Sequence, residues 1–271
     1  MINLCGQNNL NAIILAAGKG ERLLPLTQNT LKCLVELFGK KLLKSQIETF
    51  HQCGIYDISV VTGYCNEKIS YSDVNYFYNK SYGSTNMIET LFCAEEKLLN
   101  STIISYGDII FEKQVLEKLI ISDDDISVVI DKSWERYWKI RFENILEDAE
   151  SLILENGYIQ NIGKRVNSIN EIHGQYIGLM KFQNDGIKTL KNFYKKMKNF
   201  AKNGVNPLNP KLPFEKSYMT DLLQGLIDEN YKIKSIPINN GWLELDTIND
   251  YKLYQNKFKN NTISDFFNIE N

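Results

Sequence analysis

The strongest constraint on the fold is a set of short runs that are apolar along nearly their whole length. Ala12–Leu15, Asp57–Thr62, Thr102–Tyr106 and Ile126–Ile130 are too short for buried helices and do not alternate cleanly with polar residues. A strand of that kind must be covered on both faces, as in a parallel sheet between two helical layers. The segments between the runs have helical spacing. Lys41–Gln52 places Leu42, Leu43, Ile47 and Phe50 on one face, with Gly54 as its stop. Further helices are expected at about Thr85–Leu98 and Glu112–Ile120, and a short strand at Val74–Tyr78. This alternation predicts an α/β fold: a mixed, mostly parallel, Rossmann-like sheet flanked by helices. The second half is richer in β structure. A hairpin of Ser151–Leu154 and Tyr158–Ile162 turns at Asn156-Gly157, and Gln175–Phe182 and Ile233–Ile238 read as strands. Helices are expected over Gly186–Lys202, Ser217–Ile227 and Thr247–Phe258.

The first run opens onto Leu15-Ala16-Ala17-Gly18-Lys19-Gly20-Glu21-Arg22-Leu23-Leu24-Pro25-Leu26-Thr27, followed by Lys32. Small residues at 16, 17, 18 and 20 let the backbone bend sharply and bring its N–H groups close to a ligand. Successive N–H groups in such a bend form a nest for phosphate oxygens. Arg22 can fork onto those oxygens, and Lys32 adds a point charge. A lone G-x-G would read as an ordinary strand-to-helix turn. The ordered array of small residues, Arg, Pro-x-Thr and Lys reads as a phosphate-gripping loop. It is neither a Walker loop nor the dinucleotide G-x-G-x-x-G.

Ligands of such sheets sit at the carboxyl ends of strands. Asp108 follows Gly107 at one such end, and Asp246 lies in Trp242-Leu243-Glu244-Leu245-Asp246-Thr247. Together they can hold a divalent metal that also binds phosphates; each can instead cap a helix. Asp131–Arg141 gathers two of the three tryptophans with four basic residues. Through Lys132, Trp134 and Arg141 it reads either as a cation cage with an anion grip or as an aromatic-anchored lid.

Composition excludes several classes. The 271 residues carry a net charge of −2, so no basic field suggests nucleic acid as a partner. No apolar run approaches the ~20 residues needed to cross a bilayer, and Met1–Asn11 is too polar for a secretory signal. Cys5, Cys33, Cys53, Cys65 and Cys93 lack C-x-x-C spacing and read as reduced thiols in the cytoplasm. Two histidines argue against a His-based zinc site.

The array from Leu15 to Lys32 resembles the L-A-A-G-x-G-x-R-L-x-P-x-T…P-K-x-L signature of the nucleotidyltransferase (sugar-nucleotide pyrophosphorylase) superfamily, with Leu31 where the family has Pro. The likeness runs over about residues 12–258. It implies that Leu15, Ala16, Ala17, Gly18 and Gly20 contact the nucleotide, as do Tyr82, Gly83, Ser84 and Thr85. It also implies catalytic roles for Arg22, Lys32 and Lys164, and metal binding (Mg²⁺, with Mn²⁺ possible) by Asp108 and Asp246. Gln175, in Gly174-Gln175-Tyr176-Ile177-Gly178, falls on the family's acceptor side. Read without the resemblance, Lys164-Arg165 is a solvated pair and residues 82–87 are a helix cap. The Tyr82-Gly83-Ser84-Thr85-Asn86-Met87 form is similar to the cytidylyltransferase branch, which implies CTP and a small phosphorylated acceptor. The overall pattern is nearest to the branch that acts on L-glutamine phosphate in capsule modification. Phosphocholine, 2-aminoethylphosphonate and sugar 1-phosphates remain alternatives. The resemblance further implies one domain over 1–258, with a nucleotide-binding half to about 130 and a β-rich acceptor-binding half beyond it. Residues 259–271 are expected to be a loosely held tail.

Overall fold

The computed structural model describes residues 10–269. The first half supplies β1 (Leu10–Ala16), β2 (Glu36–Leu37), β3 (Lys40–Lys41), α1 (Leu42–Gln52), β4 (Ile58–Thr62), β5 (Asn75–Tyr78) and α2 (Met87–Phe92). It continues with β6 (Ser101–Tyr106), β7 (Ile109–Phe111), α3 (Lys113–Ile120) and β8 (Ile126–Asp131). The second half supplies α4 (Trp134–Arg141), β9 (Glu150–Glu155), β10 (Tyr158–Arg165), β11 (Gln175–Gln183) and α5 (Asp185–Ala201). It ends with α6 (Met219–Asp228), β12 (Lys234–Ile238), β13 (Trp242–Glu244) and α7 (Ile248–Lys259).

Nine strands form one sheet in the order β5-β4-β1-β6-β11-β8-β12-β10-β9. Of these, only β11 and β10 run against the other seven, so the expected mostly parallel, mixed α/β sheet is present. β1 lies between β4 and β6, with Ala12 opposite Ile58 on one side and Ile103 on the other. Its side chains alternate between two cores. Ala12, Ile14 and Ala16 join the core containing Ile47 and Phe50 of α1 and Leu116 of α3. Ile13 and Leu15 join the one containing Leu91 of α2, Leu190 of α5 and Leu222 of α6. Burial on both faces explains why β1 carries no polar alternation. The hairpin turn sits where expected, with Asn156 and Gly157 both at positive φ.

Two expectations are corrected, and residues 131–141, read as either a cation cage or an aromatic-anchored lid, take a packed form. The helix expected to reach Leu98 stops at Phe92, followed by a 3-10 turn at Glu95–Lys97. The Lys97 carbonyl accepts from Asn11 Nδ2 at 2.7 Å and from Thr102 Oγ1 at 3.3 Å, so it serves the flanking strands. Residues 134–141 form a helix, α4, whose Trp134, Tyr137 and Trp138 are buried. The segment after α7 is not loosely held over its described part. Ile263 and Phe266 are buried, the Phe266 ring lies 5.9 Å from that of Tyr137, and Gly241 N–H donates to the Phe266 carbonyl at 2.8 Å. Cys5, most of the polar N-terminal segment and residues 270–271 lie outside the described residues. No helix among the described residues is long and apolar enough to cross a membrane.

Candidate active site

Because β1 and β6 are parallel neighbours, their carboxyl ends deliver the glycine-rich loop and the Gly107-Asp108 turn to the same edge of the sheet. Gly107 N–H donates to the Leu15 carbonyl at 2.9 Å. A Cβ on Gly107 would lie 2.7 Å from that same oxygen, so a side chain there would separate the two loops. Gln46 of α1 clamps the turn from below. Its Nε2 donates to the carbonyls of Tyr106 and Ile109, both at 2.8 Å, and its Oε1 accepts from Ser105 Oγ at 2.8 Å. Sequence reasoning missed Gln46; the one available signal was a polar residue on the apolar face of a helix. On the other side, β13 pairs with β7 and brings Asp246 beside Asp108, with Leu245 N–H donating to the Asp108 carbonyl at 2.9 Å.

Lys32 stands at the centre. Its Nζ lies 2.7 Å from Asp108 Oδ2 and 2.7 Å from Asp246 Oδ1. Those two oxygens are therefore separated by no more than twice that length. Arg22 Nη1 lies 2.6 Å from Asp246 Oδ2. Burial works against the ammonium form of Lys32, but Asp108, Asp246 and Glu244 outweigh it and hold its pKa above the ordinary value. Gly20, at φ +67, makes room for this lysine: a Cβ there would lie 2.9 Å from Lys32 Cβ. Leu31 stands where the superfamily signature has Pro, yet its φ of −76 lies in the range that Pro imposes. Complete burial of Leu31 supplies the restraint instead.

The two aspartates suit a divalent metal. Asp108 Oδ1 is buried without a hydrogen-bond partner. Asp246 does not cap α7, because Thr247 does so through its hydroxyl, in a reciprocal box with Asp250. No group of three or more His, Cys, Asp or Glu suited to a metal occurs among the described residues. Two carboxylates with the remaining positions left to phosphates and water match the way Mg²⁺ is held.

Two cavities flank this centre. One is lined by Leu15, Ala16, Ala17, Gly18, Lys32, Tyr82, Thr85 and Asp108, among others. Gly20, Gly83 and Ser84 do not line it. Thr85 is set in place by Asn79, a buried residue that sequence reasoning missed, whose Nδ2 donates to Thr85 Oγ1 at 2.9 Å. The second cavity shares Met87 and Tyr106 with the first and is lined by Arg22, Asp246 and Gln175. Lys132, Trp134, Arg141 and Lys164 line neither, which departs from expectation for all four. Lys132 and Lys164 are exposed, and Trp134 is buried in the core against Trp138.

Arg141 has a side chain 1% exposed. Its Nε donates to Asp250 Oδ1 at 2.9 Å, and its Nη2 donates to Asp250 Oδ2 at 3.2 Å and pairs with Glu244 Oε2 at 2.9 Å. Asp250 Oδ2 in turn accepts the N–H groups of Asp246 and Thr247 at 3.2 and 2.8 Å. Arg141 therefore grips the segment that presents Asp246 through Nε and Nη2, while its Nη1 is buried without a hydrogen-bond partner. Asp148 and Glu150 line the second cavity and were missed by sequence reasoning; Tyr218, in a stretch that fits the cytidylyltransferase branch, lines it as well.

Residues 12–163 match the model of the MobA-like NTP transferase domain. The chain belongs to this NTP transferase family. It is a nucleotidyltransferase by that membership, and enzymes of the family generally use a divalent metal. The transferase is 39% identical over 255 residues to the CTP:phosphoglutamine cytidylyltransferase of Campylobacter jejuni, covering 90% of this chain and 98% of that protein. It is 38% identical over 107 residues to the choline-phosphate cytidylyltransferase of Streptococcus pneumoniae, covering 38% of this chain and 47% of that protein. A solved structure of a CTP:phosphocholine cytidylyltransferase from Streptococcus pneumoniae superposes with a TM-score of 0.70 at 21% identity, covering 92% and 99% of the two chains.

Proposed function

We propose that this transferase moves CMP from CTP to the phosphate of a small acceptor, phosphoglutamine, and releases pyrophosphate. The observation that carries the reading is the meeting of Asp108 and Asp246 at Lys32, on the seam between two cavities. Extensive similarity to the Campylobacter jejuni enzyme supports CTP and the acceptor. The cavity lined by the glycine-rich loop would take the nucleotide, through Leu15, Ala16, Ala17, Gly18, Tyr82 and Thr85. The neighbouring cavity would take the acceptor.

In the reaction, an acceptor phosphate oxygen forms a bond to the α-phosphorus, and the bond from that phosphorus to the β-phosphate bridging oxygen breaks. The electron pair leaves with pyrophosphate. The nucleophile is already anionic, so no strong general base is needed. Positioning and charge neutralisation supply the rate. Lys32 and Arg22 can turn from the aspartates toward phosphate oxygens and offset their charge. Lys164 lies outside both cavities, and the proposed neutralisation does not depend on it. Asp108 and Asp246 would hold Mg²⁺, or Mn²⁺, which when bound lowers the negative charge on the triphosphate.

We further propose a cytoplasmic enzyme whose product feeds surface polysaccharide modification. A second reading, phosphocholine as acceptor, draws on Trp138, Tyr176, Tyr218 and Trp242 around the acceptor cavity. The test is pyrophosphate release from CTP, UTP, GTP or dTTP with phosphoglutamine, phosphocholine, 2-aminoethylphosphonate or a sugar 1-phosphate. Turnover is expected with CTP and phosphoglutamine. Preference for another nucleotide, or for a sugar phosphate, overturns the reading.

A further inference from the structure

The two aspartates meet on a slender support. Strands β7 and β13 form a two-stranded ribbon outside the nine-stranded sheet, joined by three residue pairs: Trp242 with Phe111, Leu243 with Ile110 and Glu244 with Ile109. Asp108 immediately precedes β7, and Asp246 lies two residues beyond β13, so this pairing sets their separation. A ribbon of two short strands is marginal by itself and needs a third strand or packed side chains. Among the described residues no strand pairs with the outer edge of β13.

Two tyrosines close that edge. In an antiparallel pair, alternate residues turn their N–H and C=O groups away from the partner strand. Leu245 N–H donates to the Asp108 carbonyl at 2.9 Å and so faces the β7 side; Glu244, next to it, faces outward. Glu244 N–H donates to the Tyr137 hydroxyl at 3.0 Å, and the Glu244 carbonyl accepts from the Tyr254 hydroxyl at 2.8 Å. The two hydroxyls also hydrogen-bond to each other, so Tyr137 donates to Tyr254 and the ring of three bonds closes in one direction. Tyr137 comes from α4 and Tyr254 from α7, and they are 1% and 0% exposed. Together they offer β13 one acceptor and one donor, as a neighbouring strand would.

We infer that Tyr137 and Tyr254 are positioning residues, whose hydroxyls stand in for a third strand and hold Asp246 in register with Asp108 for a divalent metal. This rests on reading the two aspartates as the metal's ligands. Neither tyrosine lines the nucleotide or the acceptor cavity, so neither is assigned a substrate contact. Phenylalanine at either position keeps the ring and its packing and removes only the hydroxyl. Without the Tyr137 hydroxyl the outward N–H of Glu244 is left enclosed and unpaired, and without that of Tyr254 its carbonyl is. An unpaired enclosed backbone group favours a shift of the strand that recovers a partner, and such a shift moves Asp246 relative to Asp108.

The experiment titrates Mn²⁺ alone into the wild type, Tyr137→Phe and Tyr254→Phe, and follows the free ion by its electron paramagnetic resonance signal. Asp108→Asn defines binding elsewhere on the protein. Tyr194→Phe is the structural control: it loses a hydroxyl that donates to Glu89 Oε1 at 2.8 Å, in the other of the two cores. Each ribbon variant is expected to weaken the Asp108-dependent binding by about 10-fold, the usual effect of losing an outer support of a metal ligand, with Tyr194→Phe unchanged. Pyrophosphate release should then need about 10-fold more Mg²⁺ to reach half its maximal rate. Affinity within about twofold of wild type in a folded ribbon variant overturns the inference. Equal weakening in Tyr194→Phe overturns it as well, because the effect is then a general loss of rigidity. Failure of both ribbon variants to fold also overturns it, since the hydroxyls then serve the fold and not the register. Identical Mn²⁺ binding by wild type and Asp108→Asn is a different result: it removes the metal from the two aspartates, and this inference with it.

Discussion

Replacing Asp108 with Asn keeps the shape of the side chain and removes one negative charge. The structure allows the consequences for folding and for catalysis to be weighed separately. For folding, Asp108 Oδ1 has no partner to lose, and Oδ2 has one, Lys32 at 2.7 Å. Lys32 keeps Asp246 at 2.7 Å, so its charge is not left alone in the interior. Loss of one charged hydrogen bond with a second retained costs about 1–2 kcal/mol. For a chain of this size that is a fall in Tm of about 2–8 °C. For catalysis, the same change removes one of the two carboxylates that meet beside the nucleotide cavity. Removing one group aimed at developing charge typically costs about 3–4 kcal/mol, or 10²–10³-fold in rate. Pyrophosphate release from CTP and acceptor at saturating metal should therefore fall by at least about 100-fold, while circular dichroism shows a folded protein with a small shift in melting. A rate within about threefold of wild type would remove Asp108 from the reacting centre.

Two further outcomes follow from buried charge. Arg141→Met leaves Asp250 and Glu244 without their shared cation in the interior, which should destabilise the protein by about 3–5 kcal/mol in urea unfolding; a change below about 1 kcal/mol would contradict the network described. Desolvation, and after it the negative neighbours Asp148, Asp221 and Glu244, push the Glu150 carboxyl up to about 7. Its raised value means that the folded state holds the proton more tightly than the unfolded chain. Its contribution to the stability of the ligand-free protein is therefore present at acid pH and is lost as pH climbs through about 7.

Local signals carried much of the fold. The apolar runs at β1, β4, β6 and β8 were legible because burial on both faces leaves no polar positions to confuse the pattern. The hairpin at Asn156-Gly157 was legible because its backbone conformation demands those residues. Trp134, Tyr137, Trp138 and Arg141 have the helical spacing of α4, but their chemistry left the sequence reading divided between ligand contacts and an aromatic-anchored lid, and only packing decided that the aromatics are buried. The packed C-terminal segment was missed because Ile263 and Phe266 are isolated apolar residues in a polar stretch, and their partners lie far back in the chain.

The order of residues by itself determined the α/β sheet, the loop after its first strand, and the acidic residues at strand ends, because each depends on neighbours within a few positions. Tertiary structure decided what those residues face. It joined Asp108 to Asp246 across 138 positions of sequence through the pairing of β7 with β13. It turned Arg141 inward onto carboxylates, and it set the hydroxyls of Tyr137 and Tyr254 on the outer edge of β13. Whether a charged side chain is satisfied by the protein or remains open to a ligand depends on packing between distant segments, and no local pattern records that.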